Sequence, residues 1–232
     1  MNIKEKTISL IKKNRISSVE VADALGKKGV LEGPRAINSN KFAVGEVKYI
    51  YSFLDSNWPI HEQIENITEG GIAYVDALEC NPKAAFGDLV TKYLVLYKRM
   101  EGVVVNSMLR DGHILKKENY PLWATGIHPL GFYNKKVELP THLIDEVEKR
   151  KKLFQGSIMV CDDSGCTLIE KEFITEDTYK KLEFIELQED IWYYCIDTLK
   201  WSTYQTICEK RYLIDKDVLP EVFRKRLSEY DL

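Results

Sequence analysis

Two short segments carry side chains that could do chemistry together, Gly87-Asp88 and Arg110-Asp111. Gly87 opens a predicted helix, and the first N–H groups of a helix lack helical partners and can bind an anion. Arg110 adds a guanidinium group, and Asp88 and Asp111 add two carboxylates. Taken singly, these residues also fit a surface ion pair and an acid that compensates the helix dipole. Their combination favours a functional site.

The elements around these segments predict that they meet. A predicted strand over residues 71–76 ends at Asp76 and leads through a loop to a helix over residues 86–100. The next predicted strand, 102–106, returns the chain to the same edge of the sheet, where Arg110 and Asp111 follow. In open α/β sheets, ligands bind at the carboxyl ends of the strands. We therefore expect one site at this edge.

The rest of the chain alternates short Val- and Ile-rich runs with helical patterns, which is typical of a layered α/β domain. Helices are predicted over residues 2–14, 19–25, 59–67 and 111–118, strands over 42–53 and 123–127, a loop over 27–35, and a hairpin over 154–169 with its turn at 163–165.

The length of 232 residues favours one domain with an appendage. We predict an α/β domain over residues 1–170 and a C-terminal extension over residues 171–232. The extension is mildly acidic and rich in aromatic residues, so it is too hydrophobic for a disordered tail. We expect it to be helical.

Charge and composition exclude several classes of protein. The net charge of −3 and the pI near 5.9 argue against a polybasic nucleic-acid-binding protein. No apolar run approaches the roughly 20 residues that cross a bilayer, and no secretory signal is visible. The five cysteines are scattered and odd in number, unlike a disulfide framework. A cytoplasmic protein is the expectation.

Four sequence blocks resemble the RraA-like family, which contains divalent-metal pyruvate aldolases for 4-hydroxy-4-methyl-2-oxoglutarate and 4-carboxy-4-hydroxy-2-oxoadipate, and regulators of ribonuclease E. The blocks are Val21-Ala-Asp-Ala-Leu-Gly26 with Gly29-Val-Leu-Glu-Gly33, His61 to Ala77, Phe86-Gly-Asp-Leu89, and Gly102 to Asp111 followed by Pro121-Leu-Trp-Ala124. The resemblance covers about residues 15–170. It implies a layered β/β/α fold.

The resemblance also implies roles for individual residues. Asp111 would hold Mg²⁺ or Mn²⁺, mostly through water, as suits a hard cation. Arg110 would face the keto oxygen and carboxylate of the substrate, and the backbone N–H groups from Gly87 to Leu89 would hold that carboxylate. The cation and Arg110 would stabilise an enolate. Asp88 would orient a water that moves the proton of the 4-hydroxyl group.

The sequence departs from the family pattern at two positions near the site. Between Asp88 and Arg110 lie 21 residues, one more than in the family pattern, so the connecting helix or its following turn must accommodate an additional residue. The strand before Arg110 ends in Asn106-Ser107, where the family has Asp-Gly. We expect Asn106 and Asp76 to lie behind the site and support it.

The predicted function is a divalent-metal-dependent carbon–carbon lyase that acts on a 2-oxo acid or a related keto-acid through an enolate. The resemblance further implies a homotrimer or hexamer with sites between subunits. Two alternatives remain: a non-catalytic regulator that binds a ribonuclease or another protein, and a family enzyme adapted to a larger biosynthetic substrate. His61 is interpreted as a helix-capping or packing residue. Membrane and nucleic-acid partners are not expected.

Overall fold

The computed structural model describes residues 2–230, which form two compact units. The first unit ends at Thr175 and the second begins at Glu176. Among the described residues, none of the helices is both long and apolar enough to span a membrane.

The first unit is built on one mixed β-sheet. Its strands are β1 (Val30–Leu31), β2 (Arg35–Ala36), β3 (Ala43–Phe53), β4 (Ile72–Leu78), β5 (Ala84–Phe86), β6 (Gly102–Leu109), β7 (Leu122–Ile127), β8 (Ile158–Asp162) and β9 (Gly165–Ile169). They lie in the order β1-β9-β8-β3-β4-β6-β7-β2, with β5 paired to β6. Strands β3, β4, β6 and β7 are parallel, whereas β8 and β9 form the predicted antiparallel hairpin.

Six helices of the first unit connect or cover these strands. They are α1 (Ile3–Asn14), α2 (Ser18–Ala24), α3 (Trp58–Glu65), α4 (Asp88–Lys92), α5 (Gly112–Glu118) and α6 (Ile144–Phe154). Helices α1 and α2 each begin with a capping box, in which the side chains of Asn2 and Ser17 accept from the third helical N–H. These caps explain why the two helices begin where the sequence predicts them.

Apolar side chains on the two faces of the parallel strands form two separate cores. On one face, residues such as Val75 and Val105 pack with Ile60 of α3, Val90 of α4 and Leu115 of α5. On the other face, Tyr74, Val104 and Trp123 pack with Met159 and Leu168 of the β8–β9 hairpin, and with Phe154 of α6. The β8–β9 hairpin thus packs on one face of the parallel strands and helices pack on the other. The predicted layered β/β/α fold is confirmed.

Several element boundaries differ from the sequence prediction. Ala84–Phe86 is a strand, so the helix predicted from Phe86 begins at Asp88. Strand β6 runs on to Leu109 instead of ending at residue 106, because β5 pairs with its last residues. The segment 27–35, predicted as loop, contains β1 and the start of β2, which pair at opposite edges of the sheet.

Helix α4 continues directly into a π turn, Tyr93–Tyr97. A π turn closes its hydrogen bonds over i→i+5 instead of i→i+4, and thus contains one more residue than an α turn. A turn of this kind is one place where an additional residue between Asp88 and Arg110 can be accommodated.

The second unit is helical and has its own core. Its main helices are α7 (Glu176–Tyr193), α8 (Arg211–Ile214) and α9 (Glu221–Leu227), with π turns at Tyr194–Thr198 and Tyr204–Cys208. Leu187, Ile191, Tyr212 and Leu227 form the centre of its core, surrounded by half-buried aromatic residues. Aromatic enrichment in the sequence is thus explained by a second hydrophobic core. The five cysteines are all free thiols.

Candidate active site

The pairing of β5 with β6 brings the segments Gly87-Asp88 and Arg110-Asp111 together. Phe86 lies opposite Leu109 in the parallel ladder, and the Arg110 N–H donates to the Phe86 carbonyl oxygen at 2.9 Å. The residues that follow these two strands, Gly87 and Arg110, therefore leave the sheet side by side. The sequence predicts this convergence, but through the helix and strand order alone, since β5 is too short to show a pattern.

Asp111 is held directly against the start of α4. Its Oδ2 atom accepts from the Asp88 backbone N–H at 3.2 Å, and a side chain on Gly87 would collide with the same oxygen. Asp111 has left-handed backbone angles (φ 58°, ψ 35°) and is the residue from which α5 begins. This conformation, which aspartate tolerates better than most residues, turns the carboxylate back towards Gly87.

Arg110 lies beside Asp111 and against a glycine of the opposite loop. Its Nε is 3.5 Å from Asp111 Oδ2, and its side chain remains 52% exposed. A Cβ atom on Gly131 would lie 3.3 Å from the Arg110 Cδ and guanidinium. The absence of a side chain at Gly131 thus provides the space in which the guanidinium lies, and the guanidinium keeps donors free for a ligand.

A cavity of about 350 Å³ lies in front of these residues. Gly87, Leu89, Arg110 and Asp111 are on its wall, together with Gly131, Phe132, Asn134, Asn57 and His61. Leu89 is 82% exposed although it is in the first turn of α4. Gly87 and Leu89 therefore present backbone and one apolar side chain at this site.

The Asp88 carboxylate has a different orientation from that of Asp111. Its Oδ1 atom is buried and has no hydrogen-bond partner among residues 2–230. Asp88 is also not among the residues that line the 350 Å³ cavity, although its neighbours Gly87 and Leu89 are. A buried oxygen without a partner is uncommon in proteins, and it marks Asp88 as under-satisfied.

Asp76 and Asn106 form a separate polar cluster. The Asn106 amide donates to Asp76 Oδ1 at 3.1 Å, and Asp76 Oδ2 accepts from Arg150 at 3.1 Å and from the Tyr49 hydroxyl at 3.4 Å. Burial raises the pKa of the Tyr49 hydroxyl, and the neighbouring Asp76 charge raises it further. Within the described chain, no hydrogen bond joins this cluster to Arg110 or Asp111, so the expected support of the site is not a direct one.

Asn57 and His61 are residues of the cavity wall that the sequence does not identify as such. Asn57 precedes α3, but its side chain does not cap the helix, and its Oδ1 atom is buried without a partner in the described structure. His61, interpreted from sequence as a capping or packing residue, is exposed along the same wall. Their spacing of four residues places them on one face of α3, which is the only signal that links them.

The residues fit a hard cation held mainly through water. Both polar contacts of the Asp111 carboxylate in the described structure use Oδ2, so Oδ1 is available as a ligand. Within residues 2–230, no three His, Cys, Asp or Glu side chains form a group that could hold a metal ion. A single carboxylate with several waters is a set that Mg²⁺ uses, and oxygen ligands of this kind also suit Mn²⁺, whereas softer transition metals prefer nitrogen and sulfur ligands.

Comparison with known proteins identifies relatives of the first unit. Residues 18–168 match the RraA-like family model, described as Aldolase/RraA. A Shewanella oneidensis protein named "Putative 4-hydroxy-4-methyl-2-oxoglutarate aldolase" is 26% identical over 135 residues, which are 58% of this chain and 70% of that protein.

Two solved structures share the fold at low identity. An uncharacterized protein from Pseudomonas syringae pv. tomato has a TM-score of 0.64 and 19% identity, covering 84% of this chain and 89% of its own. Streptomyces coelicolor RraAS2, an unusual member of the RNase ES inhibitor RraA protein family, has a TM-score of 0.61 and 19% identity, covering 80% and 96%.

Proposed function

The chain belongs to the RraA-like family, and from this membership and the site geometry we propose a divalent-metal-dependent carbon–carbon lyase that acts on a 2-oxo acid. The observation that supports it most is the convergence of Arg110, Asp111 and the start of α4 on one cavity. A binding module has no need for a carboxylate held against an anion-binding helix start.

The proposed substrate carboxylate binds to the start of α4 and to Arg110. Because the Asp88 N–H already donates to Asp111, the N–H groups of Leu89 and Val90 are the remaining first-turn donors. The first helical hydrogen bond in this region runs from the Thr91 N–H to the Gly87 carbonyl. The guanidinium of Arg110 adds charge-assisted hydrogen bonds to the same carboxylate or to the adjacent keto oxygen.

Asp111 Oδ1 is the proposed protein ligand of Mg²⁺ or Mn²⁺. When bound, the cation supplies positive charge where the substrate keto oxygen becomes negative. Arg110 acts on the same charge from the protein side, as a fixed donor that needs no reorganisation during the reaction. The Asp111 backbone conformation and its bond to Asp88 keep the ligand in place.

The proposed proton path begins at the 4-hydroxyl group of the substrate. A water oriented by Asp88 takes this proton as the bond between C3 and C4 breaks, and the bonding electrons move to C3 and the keto oxygen as an enolate. Return of the proton to C3 then gives pyruvate, and C4 leaves as a carbonyl product. Asp88 lies between two residues of the cavity wall, Gly87 and Leu89, and its carboxylate has bonding capacity left.

We also propose a homotrimer or hexamer, as the family resemblance implies. Leu89, which lines the cavity, and Leu96 and Tyr97 of the following π turn are exposed. Such apolar exposure beside a site supports burial by another subunit.

The test is pyruvate release from a 4-hydroxy-2-oxo acid or from oxaloacetate, measured with Mg²⁺ and again after addition of a chelator. We expect metal-dependent turnover that falls at least about 100-fold in Arg110→Ala and Asp111→Ala. Arg99→Ala is a matched control, since Arg99 is an exposed arginine that forms a comparable 3.5 Å pair with Glu69 on the surface.

Other outcomes would contradict the lyase. No turnover over a panel of 2-oxo acids, together with capture of a ribonuclease, would favour the regulator. Turnover that survives the chelator and both substitutions would remove Arg110 and Asp111 from the mechanism. Turnover confined to bulky keto acids would favour the enzyme adapted to a larger substrate.

A further inference from the structure

A second cavity, of about 320 Å³, adjoins the candidate site between α3 and α4. His61, Leu89 and Val90 line both this second cavity and the first, so the two are continuous. The other residues that line the second cavity are Ile64, Glu65 and Tyr93. A substrate bound at the candidate site can therefore extend into the space between the two helices.

The inner wall of the second cavity is apolar and belongs to the protein core. Ile64 is 5% exposed and Val90 is 8% exposed, and both are members of the core on this face of the sheet. The half-buried Tyr93 packs against the same core, and Leu89 adds a further apolar side chain. A concave apolar wall of this kind favours the burial of an alkyl or aryl group.

The charged residues along the second cavity are acidic. Glu65 lines it, and a third cavity of about 290 Å³, which shares His61 and Glu65 with it, adds Glu62. The Glu62 carboxylate accepts from Trp58 Nε1 at 2.8 Å, which holds it along α3. Within residues 2–230, no lysine or arginine lines the second or the third cavity.

Lys98 is close to Glu65 and Tyr93, but its contacts lie outside the second cavity. Its Nζ donates to the backbone carbonyl oxygens of Glu65 at 2.9 Å and of Ile67 at 3.2 Å, and it lies 5.6 Å from the centre of the Tyr93 ring. A carboxylate placed in the second cavity would therefore face Glu65 and an apolar wall without a cation to pair with, which is unfavourable.

We propose that the second cavity binds the C4 substituent of the substrate, and that this substituent is an uncharged alkyl or aryl group. This inference rests on the proposed lyase function. Leu89 links the two parts of the site, because its N–H is a proposed donor to the substrate carboxylate and the residue lines both cavities. Cleavage between C3 and C4 then gives pyruvate and an apolar aldehyde or ketone, and the proton of the 4-hydroxyl group is returned to C3. In 4-hydroxy-4-methyl-2-oxoglutarate, by contrast, C4 carries a second carboxylate.

The first experiment compares two substrates that differ by one carboxylate, 4-hydroxy-2-oxo-4-phenylbutanoate and its para-carboxyphenyl analogue. Pyruvate release is measured with Mg²⁺ at low ionic strength and pH 8, which is above the range in which histidines usually titrate. We expect kcat/KM to be at least about 10-fold higher for the phenyl compound. A smaller preference, or the opposite one, would overturn the proposal.

The substitution Glu65→Lys tests the contribution of charge. Glu65 is exposed on α3, so the variant should fold, and a lysine would offer the carboxyphenyl group a partner. We expect the preference for the phenyl compound to fall at least about threefold. Glu172→Lys is the matched control, since Glu172 is an exposed glutamate of the same unit that lines neither cavity. No change in Glu65→Lys, or an equal change in both variants, would contradict a role for this cavity.

Exchange of the methyl protons of pyruvate for deuterium, followed by NMR with Mg²⁺, separates this proposal from the lyase function. Exchange requires an enolate but no C4 substituent. Exchange without cleavage of the phenyl compound would overturn the substrate assignment and leave the lyase function in place. If neither exchange nor cleavage of any 2-oxo acid is observed, the lyase function fails and the substrate assignment fails with it.

Discussion

Asp76 and Asp111 are both carboxylates placed by neighbouring parallel strands, yet their surroundings are opposite. Asp76 is fully buried, and its two oxygens are satisfied by Asn106, Arg150 and Tyr49. The Asp111 side chain is 33% exposed, and its contacts leave one oxygen available beside a cavity. A buried carboxylate whose two oxygens both accept hydrogen bonds stabilises the fold, whereas a carboxylate with an oxygen still available can bind a ligand.

The largest expected effect is on the free energy of unfolding, when Asp76 and its hydrogen bonds are removed. In Asp76→Ala, Arg150 and the Asn106 amide lose their buried partner, and the free energy of unfolding should fall by about 3–5 kcal/mol. Denaturant titration measures it. A variant that unfolds like the wild type would show that the Asp76 cluster is not a stabilising one, and the contrast with Asp111 would then break down.

For Asp111, whose carboxylate has an oxygen available, we expect a large loss of turnover and a small change in stability. Asp111→Asn keeps the size of the side chain but removes the charge that a cation requires, so kcat/KM for pyruvate release should fall about 100-fold. The melting temperature should change by no more than about 2 °C, because the carboxylate is part-exposed. A large loss of thermal stability with retained turnover would place Asp111 with Asp76 as a structural residue.

Asn106→Asp sharpens the comparison by adding a negative charge to the saturated cluster. The Asn106 amide now donates to Asp76 at 3.1 Å, and an aspartate would replace this donor with a second carboxylate. We expect a loss of about 1–3 kcal/mol at pH 7, and a smaller loss near pH 4, where one carboxylate can take up a proton. Urea titrations at the two pH values measure it, and an equal loss at both would contradict the charge argument.

The smallest expected effect concerns Asp55, a third carboxylate, behind the cavity loop. Burial alone would raise its pKa, but hydrogen bonds from Lys83 and Asn81 outweigh burial and hold the pKa below the ordinary 3.8. Because the folded-state pKa is the lower one, Asp55 stabilises the fold above about pH 4, and this is lost as the pH falls further.

In Asp55→Asn, the unfolding free energy should therefore depend less on pH below about pH 4, by roughly 1 kcal/mol. Parallel denaturant titrations of the variant and the wild type between pH 2.5 and 5 measure the difference. Identical slopes would mean that the Lys83–Asp55 pair does not contribute to stability.

Sequence patterns were sufficient for the elements whose residues repeat with a clear period. The runs at β4 and β6 and the capped helices α1 and α2 are predictable because burial and capping leave residue-level signals. The convergence of Gly87 with Arg110 also follows from strand and helix order. That the site residues act together in one reaction remains a prediction.

Other features depend on long-range pairing that no local pattern shows. Strand β5 has three residues, and only its ladder with β6 makes it a strand and extends β6 to Leu109. Asn57 and Gly131 join the cavity wall from distant segments. Asn106 is near the site in sequence, but its side chain points to Asp76, which is its register partner on the neighbouring strand.

The π turn after α4 has a consequence for how this chain can vary. Gly87 at one end and the start of β6 at the other are held by the sheet, so a length change between them must be taken up in the helix or in the turn that follows it. An enlarged turn can absorb one inserted residue without moving either anchor, and this turn is the segment that exposes Leu96 and Tyr97. The exposed surface of this turn can therefore vary while the residues of the candidate site keep their spacing.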